Sequence, residues 1–231
     1  MKLHLLLSAA LLLLCATLAA QEAQKQTERQ TAMPPKTTDR PLKDRLATFE
    51  QDDRDQWQKP DEVVKQLKIK PGSVIADVGA GSGYFTRRFS KAVGDKGKVL
   101  AVDIDAEILG WLKEDSAKRN LTNIEIVNSK EDDPLLKPNS VDLIFICDSA
   151  HHIANRVPFY QKLAAALKKG GRFANLDIPP DAHAKGLCRH EAETLVPRAQ
   201  AVEEAEKAGF KLDSESNIVL PKQYFLVFKK K

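Results

Sequence analysis

Short apolar runs recur along the chain after Pro60, and polar or turn-forming residues bound each of them. Such runs, four to seven residues long here, are typical of strands buried inside a sheet. Five of them are predicted as strands: Val74 to Val78, Val99 to Val102, Ile124 to Val127, Val141 to Cys147 and Arg172 to Leu176.

Amphipathic stretches separate these predicted strands. Two apolar trios recur at four-residue spacing, which places the members of each trio on one face of a helix, toward the sheet. The trios are Phe85, Phe89 and Val93, and Phe159, Leu163 and Leu167. A further helix is predicted from Glu193 to Ala208, closed by Gly209, because a left-handed glycine commonly ends a helix.

Two apolar strands are predicted at the end of the chain, in "FKLDSESNIVL" and "YFLVFKK". Only Pro221 to Gln223 separates them, and a link this short suits an antiparallel pair, whereas a parallel pair needs a long crossover. Strands that alternate with helices indicate an α/β fold with a mostly parallel sheet. We therefore expect seven strands, the last two forming an antiparallel pair.

The first twenty residues differ from the rest of the chain. Leu3 to Leu14 is a nearly unbroken apolar run, and the small residues of "CATLAAQ" follow it. This predicts a secretory signal peptide over residues 1–20 and an exported protein, most simply in the bacterial periplasm. An uncleaved anchor of residues 3–20 stays open, since that length is about the minimum that crosses a bilayer. Only a retained anchor would associate the protein with the membrane.

Residues 21–59 are rich in Gln, Thr, Lys, Asp and Pro, and this composition predicts a polar arm, flexible or loosely docked, before a domain over residues 60–231. Phe49 and Trp57 are its large apolar exceptions. They either pack the arm against the domain or cover a ligand.

Composition excludes several classes of protein. The 231 residues are 42% hydrophobic and 29% charged, as in an ordinary globular protein, and the net charge is +4. Acidic and basic residues are interspersed, so no basic stripe indicates a nucleic-acid partner. Of three cysteines, Cys15 leaves with the signal peptide, and whether Cys147 pairs with Cys188 stays open.

The stretch "VIADVGAGSG" carries the main chemical signal, because it runs from a buried strand into a glycine loop. Gly79, Gly81 and Gly83 allow sharp turns and a close ligand approach, and the following helix points free N–H groups at the loop. Asp103 ends the next strand, about twenty residues on, where an acidic side chain binds ribose hydroxyls. The pattern predicts a site for an adenosine-containing cofactor.

Two other nucleotide sites fit less well. A nicotinamide dinucleotide site has the pattern G-x-G-x-x-G/A, but Tyr84 stands at the closing position. A phosphate-binding P-loop needs a Lys-Ser/Thr pair, which this loop lacks.

The chain resembles the class I S-adenosylmethionine-dependent methyltransferases. "DVGAGSG" resembles that family's first motif, "VLAVDID" its second-strand motif, "SVDLIFICDSAHHI" its fourth-strand motif and "LKKGGRF" the loop before its fifth strand. The resemblance covers about Pro60 to Lys229 and is nearest to small-molecule C-methyltransferases of ubiquinone and menaquinone synthesis. It implies a Rossmann-like, doubly wound fold, S-adenosylmethionine as cofactor and a small-molecule acceptor.

The resemblance also implies roles for individual residues. The three glycines would line the methionine part of the cofactor, with Asp77 bracing the loop and Asp103 holding the ribose. Asp148, just past the fourth strand, would face the methionine end of the cofactor.

Methyl transfer from a sulfonium is an in-line displacement, and many acceptors must also lose a proton. Histidine is the usual base at neutral pH, so His151 and His152, after the fourth strand, are the candidate catalytic residues. The alternative is that one of them packs and the other is solvated. No metal is expected, because the nearby metal-ligand types match no standard spacing. These are Asp148, His151, His152, His183, Cys188 and His190.

A second hypothesis stays open for an exported chain. S-adenosylmethionine is made in the cytoplasm, so the chain could instead be a cofactor-binding or catalytically silent module of the cell envelope.

Overall fold

The computed structural model describes residues 40–188, 192–216, 218 and 220–231. The predicted signal peptide and residues 21–39 of the predicted arm lie outside this range. Contacts divide the chain into Met1–Lys36 and Thr37–Lys231, and all the described residues belong to the second unit. No helix in the described ranges is both long enough and apolar enough to cross a membrane.

Seven strands form one sheet within the described residues, in the order β3-β2-β1-β4-β5-β7-β6. Neighbours from β3 to β5 pair in parallel, while β7 pairs antiparallel with both β5 and β6. This confirms the predicted Rossmann-like sheet and its antiparallel end. The strands are β1 (Val74–Val78), β2 (Lys98–Asp103), β3 (Ile124–Asn128), β4 (Val141–Cys147), β5 (Leu167–Asp177), β6 (Phe210–Glu215) and β7 (Tyr224–Lys230).

Helices accompany the sheet, and two short 3₁₀ turns, Ala150–His152 and Ala192–Thr194, interrupt the loops. The helices within the described residues are α1 (Leu42–Phe49), α2 (Arg54–Gln58), α3 (Pro60–Gln66), α4 (Tyr84–Val93), α5 (Ala106–Lys118), α6 (Arg156–Ala166), α7 (Pro180–Ala184) and α8 (Arg198–Lys207).

Central strand β4 shows why the sheet is covered on both faces. Ile144 and Ile146 pack into one apolar cluster, together with α6 and α8, whereas Leu143 and Phe145 pack into the other, with α3 and α4. Successive side chains of a strand point to opposite faces. A strand buried on both faces therefore has a continuous apolar sequence, as "VDLIFIC" nearly does.

Several predicted boundaries were wrong. The helix expected from Glu193 begins at Arg198, because Pro197 precedes it in an extended conformation and a residue before proline is disfavoured in a helix. Leu167 begins β5 and is not part of a helix face, so β5 starts five residues before its predicted Arg172. Strand β6 ends at Glu215 and does not continue to Leu220.

Aromatic rings join the antiparallel end of the sheet to its covering helices. The ring of Phe173 lies 5.1 Å from that of Tyr160, 5.2 Å from that of Phe210 and 5.5 Å from that of Phe228. Phe173 is fully buried. It therefore links β5, β6, β7 and α6 in one core.

We predict that Phe173→Ala lowers the free energy of unfolding by about 3–5 kcal/mol, because the truncation removes apolar burial and leaves a cavity. Phe173→Leu should lower the free energy of unfolding clearly less, because leucine fills part of the cavity. Urea unfolding followed by circular dichroism measures both changes. An alanine variant within about 0.5 kcal/mol of the wild type would contradict this account of the core.

Candidate functional site

The loop between β1 and α4 has a backbone that favours glycine. Gly79, Gly81 and Gly83 have φ values of 76°, 52° and 80°, all in the left-handed region. A Cβ on Gly79 would overlap the Ser149 hydroxyl, and a Cβ on Gly83 would overlap the Leu112 side chain. The loop thus lies directly against its neighbours, and its backbone N–H groups stand at the start of α4.

Asp103 ends β2 beside this loop. Its carboxylate accepts hydrogen bonds from the backbone N–H of Gly81 at 2.8 Å and of Asp105 at 3.0 Å. Burial raises the pKa of the Asp103 carboxyl to about 6. The structure thus brings the predicted ribose-binding residue and the glycine loop together.

Asp77 lies behind the loop and is buried. The Thr86 hydroxyl of α4 donates to its carboxylate at 2.5 Å, and burial raises the pKa of Asp77 to about 7. The side chain therefore joins β1 to α4.

Asp148 follows β4 with a φ of 50°, which is uncommon for a residue other than glycine. Two amides donate to its carboxylate, Gln58 Nε2 at 3.3 Å and Gln223 Nε2 at 2.6 Å. Burial, and then the nearby charge of Asp177, raise the pKa of Asp148. The sharp turn after β4 carries the next residues back against the glycine loop, where Ser149 lies on Gly79.

His151 forms a buried dyad with Asp177, the last residue of β5. The Asp177 carboxylate accepts from the His151 backbone N–H at 3.1 Å and lies 2.7 Å from its Nδ1. Burial disfavours the charged imidazole, but the carboxylates of Asp177 and Asp148 together outweigh burial and raise the pKa of His151. The His152 ring lies 4.2 Å from the His151 ring.

Sequence reasoning did not identify Asp177 as a site residue. A signal was present, because Asp177 ends a buried strand in "ANLDIPP", as Asp103 ends β2. Carboxyl ends of neighbouring parallel strands meet at one edge of the sheet, so an acid at the end of β5 belongs to the same edge.

Helix α1 lies over the glycine loop. The Phe49 ring comes within 3.4 Å of where a Cβ on Gly81 would stand. Arg45 pairs with Asp105 and Glu107, at the start of α5. This part of the chain therefore covers the glycine loop and the end of β2.

Helix α2 also packs against the domain, at Tyr84, the first residue of α4. Arg54 and Arg88 lie on the Tyr84 ring, 3.9 and 4.3 Å from its centroid, and the Tyr84 hydroxyl donates to Asp55. Lys222 lies over the ring of Trp57, with 4.4 Å between its Nζ and the centroid. Residues 40–59 of the predicted arm thus contain helices whose polar side chains bind partners on the domain, and composition alone does not reveal such partners.

The remaining candidate residues are the two cysteines and the histidines that follow β5. Cys147 and Cys188 are both free thiols, and burial raises the pKa of Cys147 well above its usual range. His183 lies in α7, and His190 lies outside the described residues. Over the described ranges, no group of three or more acidic, histidine or cysteine side chains is arranged to hold a metal ion.

Comparison with known proteins gives a consistent result. Residues 75–171 match the family model described as a methyltransferase domain. A demethylmenaquinone methyltransferase of Shouchella clausii is 26% identical over 52% of this chain and 51% of its own. A ubiquinone/menaquinone biosynthesis C-methyltransferase of Coxiella burnetii is 25% identical over 75% of this chain and 70% of its own.

The chain spans about half the length of most of the curated relatives it matches. Among solved structures, a SAM-dependent methyltransferase of Aquifex aeolicus superposes with a TM-score of 0.73 and 25% identity. That match covers 80% of this chain and 97% of the other. Residues 75–171 are thus a methyltransferase domain, and the comparisons together support a class I S-adenosylmethionine-dependent methyltransferase that is loosely related to the C-methyltransferases of ubiquinone and menaquinone synthesis.

Proposed function

We propose that this protein transfers a methyl group from S-adenosylmethionine to a small-molecule acceptor that loses a proton on methylation. The observation that carries the proposal is the pairing of Asp103 with the backbone of the glycine loop at the carboxyl edge of the sheet. An acceptor for hydroxyl groups and a glycine backbone without side chains of its own lie side by side there. These features fit the ribose and methionine parts of the cofactor.

S-adenosylmethionine, when bound, supplies a methyl group activated by a positively charged sulfur. Asp103 would accept hydrogen bonds from the ribose hydroxyls, and the loop of Gly79 to Gly83 would lie against the methionine part. Asp148, at the next strand end, would place a negative charge near the cationic end of the ligand. Holding donor and acceptor in line is the main task of such an enzyme.

His151 is the proposed base. Because its Nδ1 donates to Asp177, Nε2 is the basic nitrogen of the neutral ring. Asp177 fixes the imidazole ring because its carboxylate binds both the side chain and the backbone N–H of His151. The same carboxylate stabilises the imidazolium that forms when His151 takes up a proton. Asp177 acts through His151 and is a positioning residue. His152, whose ring is tilted by 48° against that of His151, would help to wall the acceptor site.

The names of the relatives suggest the class of acceptor to test first. Several are named for demethylmenaquinone or for ubiquinone and menaquinone synthesis, and a reduced quinone ring carries acidic hydroxyl groups. We propose a hydroxylated aromatic ring as the acceptor. A base beside the methyl donor suits such a ring, because methylation at carbon or oxygen must release a proton.

We propose, from the apolar run of residues 3–20 alone, that the chain is exported to the periplasm. Fractionation of cells that produce the full chain tests this. A protein that binds S-adenosylmethionine but methylates no quinol, lipid or peptide would instead be a silent envelope module.

The first prediction concerns the cofactor. Asp103→Asn should weaken binding of S-adenosylmethionine about 10- to 100-fold, because hydrogen bonds to a charged acceptor contribute about 1.5–3 kcal/mol. Isothermal titration calorimetry measures the affinity. Asp95→Asn, in the exposed turn before β2, is the matched control and should bind as the wild type does. Equal affinity of both variants would overturn the ribose assignment.

The second prediction concerns pH. Ionised Asp103 is the stronger acceptor, and its pKa of about 6 is above the ordinary value. Affinity should therefore be constant above about pH 7 and fall below about pH 6 as the carboxylate takes up a proton, by no more than the loss of about 10- to 100-fold expected for Asp103→Asn. Asp103→Asn should lose this dependence, whereas Asp95→Asn should keep it. A wild-type affinity that is the same at pH 5 and pH 8 would contradict the role of Asp103.

The third prediction concerns the base. His151→Gln should slow methylation of a reduced short-chain demethylmenaquinone about 10²- to 10⁴-fold, the usual contribution of a general base. Asp177→Asn should also slow this methylation. The control measurement is the calorimetric affinity for S-adenosylhomocysteine, because its binding requires no proton transfer. This affinity should change little, and a large loss of affinity in His151→Gln would assign His151 to structure.

A further inference from the structure

Helix α1 brings two side chains to the edge where the ribose is proposed to lie. Arg45 and Phe49 are four residues apart and therefore on the same helix face. Phe49 lies on Gly81, and Arg45 reaches Asp105. Arg45 is only 2% exposed, an unusual degree of burial for an arginine.

The guanidinium of Arg45 is only partly satisfied. Its Nη1 donates to Asp105 and its Nη2 donates to Glu107. Its Nε is buried, and no acceptor for it exists among the described residues. Buried donors in folded proteins almost always have a partner, so this N–H calls for an acceptor that protein atoms do not supply.

The position of Arg45 indicates what that acceptor is. Asp105, which Arg45 binds, donates its backbone N–H to Asp103 at 3.0 Å. Asp103 in turn accepts from the backbone N–H of Gly81, the residue that Phe49 covers. Helix α1 therefore contacts Gly81 and Asp105, the two residues whose backbone N–H groups donate to Asp103. The ribose would lie beside these residues.

We propose that Arg45 is a further cofactor-binding residue, whose Nε–H donates to a ribose hydroxyl oxygen of the adenosyl group. The inference rests on the proposed function. A hydroxyl group both donates and accepts, so one ribose hydroxyl can donate to Asp103 and accept from Arg45. Phe49 covers the same part of the ligand and excludes water from these hydrogen bonds. Residues before the predicted domain thus complete the cofactor site.

The test is a thermodynamic cycle between protein and ligand. S-adenosylhomocysteine and its 2′-deoxy and 3′-deoxy analogues are titrated calorimetrically into the wild type and Arg45→Lys. Lysine keeps a positive charge for the acidic partners, but it lacks the planar guanidinium and therefore the Nε–H that is proposed to contact the ribose. The matched control is Arg40→Lys, which changes an exposed arginine just before α1.

Arg45→Lys should weaken binding of S-adenosylhomocysteine about tenfold or more, while Arg40→Lys binds as the wild type does. For one of the two deoxy analogues the difference between wild type and Arg45→Lys should disappear, because the hydroxyl that Arg45 binds is gone. This loss of the difference separates a direct contact from general damage to α1.

Two results would overturn the proposal. Equal affinity of Arg45→Lys and wild type for S-adenosylhomocysteine would show that Arg45 makes no contact with the ligand. A loss of the same size for S-adenosylhomocysteine and both analogues shows that Arg45 only fixes α1. Absence of binding to the folded wild type would be a different failure, since it would remove the proposed function and this inference together.

Discussion

Parallel pairing of β1, β2, β4 and β5 is the constraint on which the site depends. It brings the carboxyl ends of these strands to one edge, and the chain leaves that edge through the glycine loop and through Asp103, Asp148 and Asp177. Each acid ends a strand or directly follows one. Their proximity thus follows from the register of the sheet, with no contribution from the loops beyond turning the chain.

The same edge concentrates negative charge in a partly dry environment. Burial raises the pKa of Asp77, Asp103 and Asp148, which means that their ionised forms are disfavoured in the protein alone. A ligand that carries positive charge and hydroxyl donors compensates this cost. Arg45, Arg54 and the imidazole of His151 provide part of the compensation from the protein itself. Electrostatics and hydrogen bonding thus favour the same class of ligand as the glycine loop.

Sequence predicted the fold well where the signal was local. The apolar runs of β1 and β4 match the structure at both ends, because burial on both faces requires apolar residues throughout. Strand β5 was predicted short, since the polar start "LKKGGR" obscures it. Proline at 197 set a helix start that apolar spacing did not reveal.

Residues of the site could be predicted from the sequence only where their signal is local. Asp103 and the glycines lie within one strand-loop-helix-strand unit, so their association follows from a short segment. His151 and Asp177 are 26 positions apart, and Arg45 and Asp105 are 60 apart. Partnerships over such separations depend on how whole elements pack. The polar composition of residues 40–59 could not distinguish a solvated segment from one held by ion pairs, which is why helices α1 and α2 were not expected.

A crystal structure with S-adenosylhomocysteine bound tests the central claim most directly. We expect the ribose at the end of β2, with a hydroxyl oxygen at about 2.5–3.0 Å from the Asp103 carboxylate and the homocysteine part along the glycine loop. A ligand bound elsewhere, or a ribose with no contact to Asp103, would contradict the assignment of this edge as the methyl-donor site.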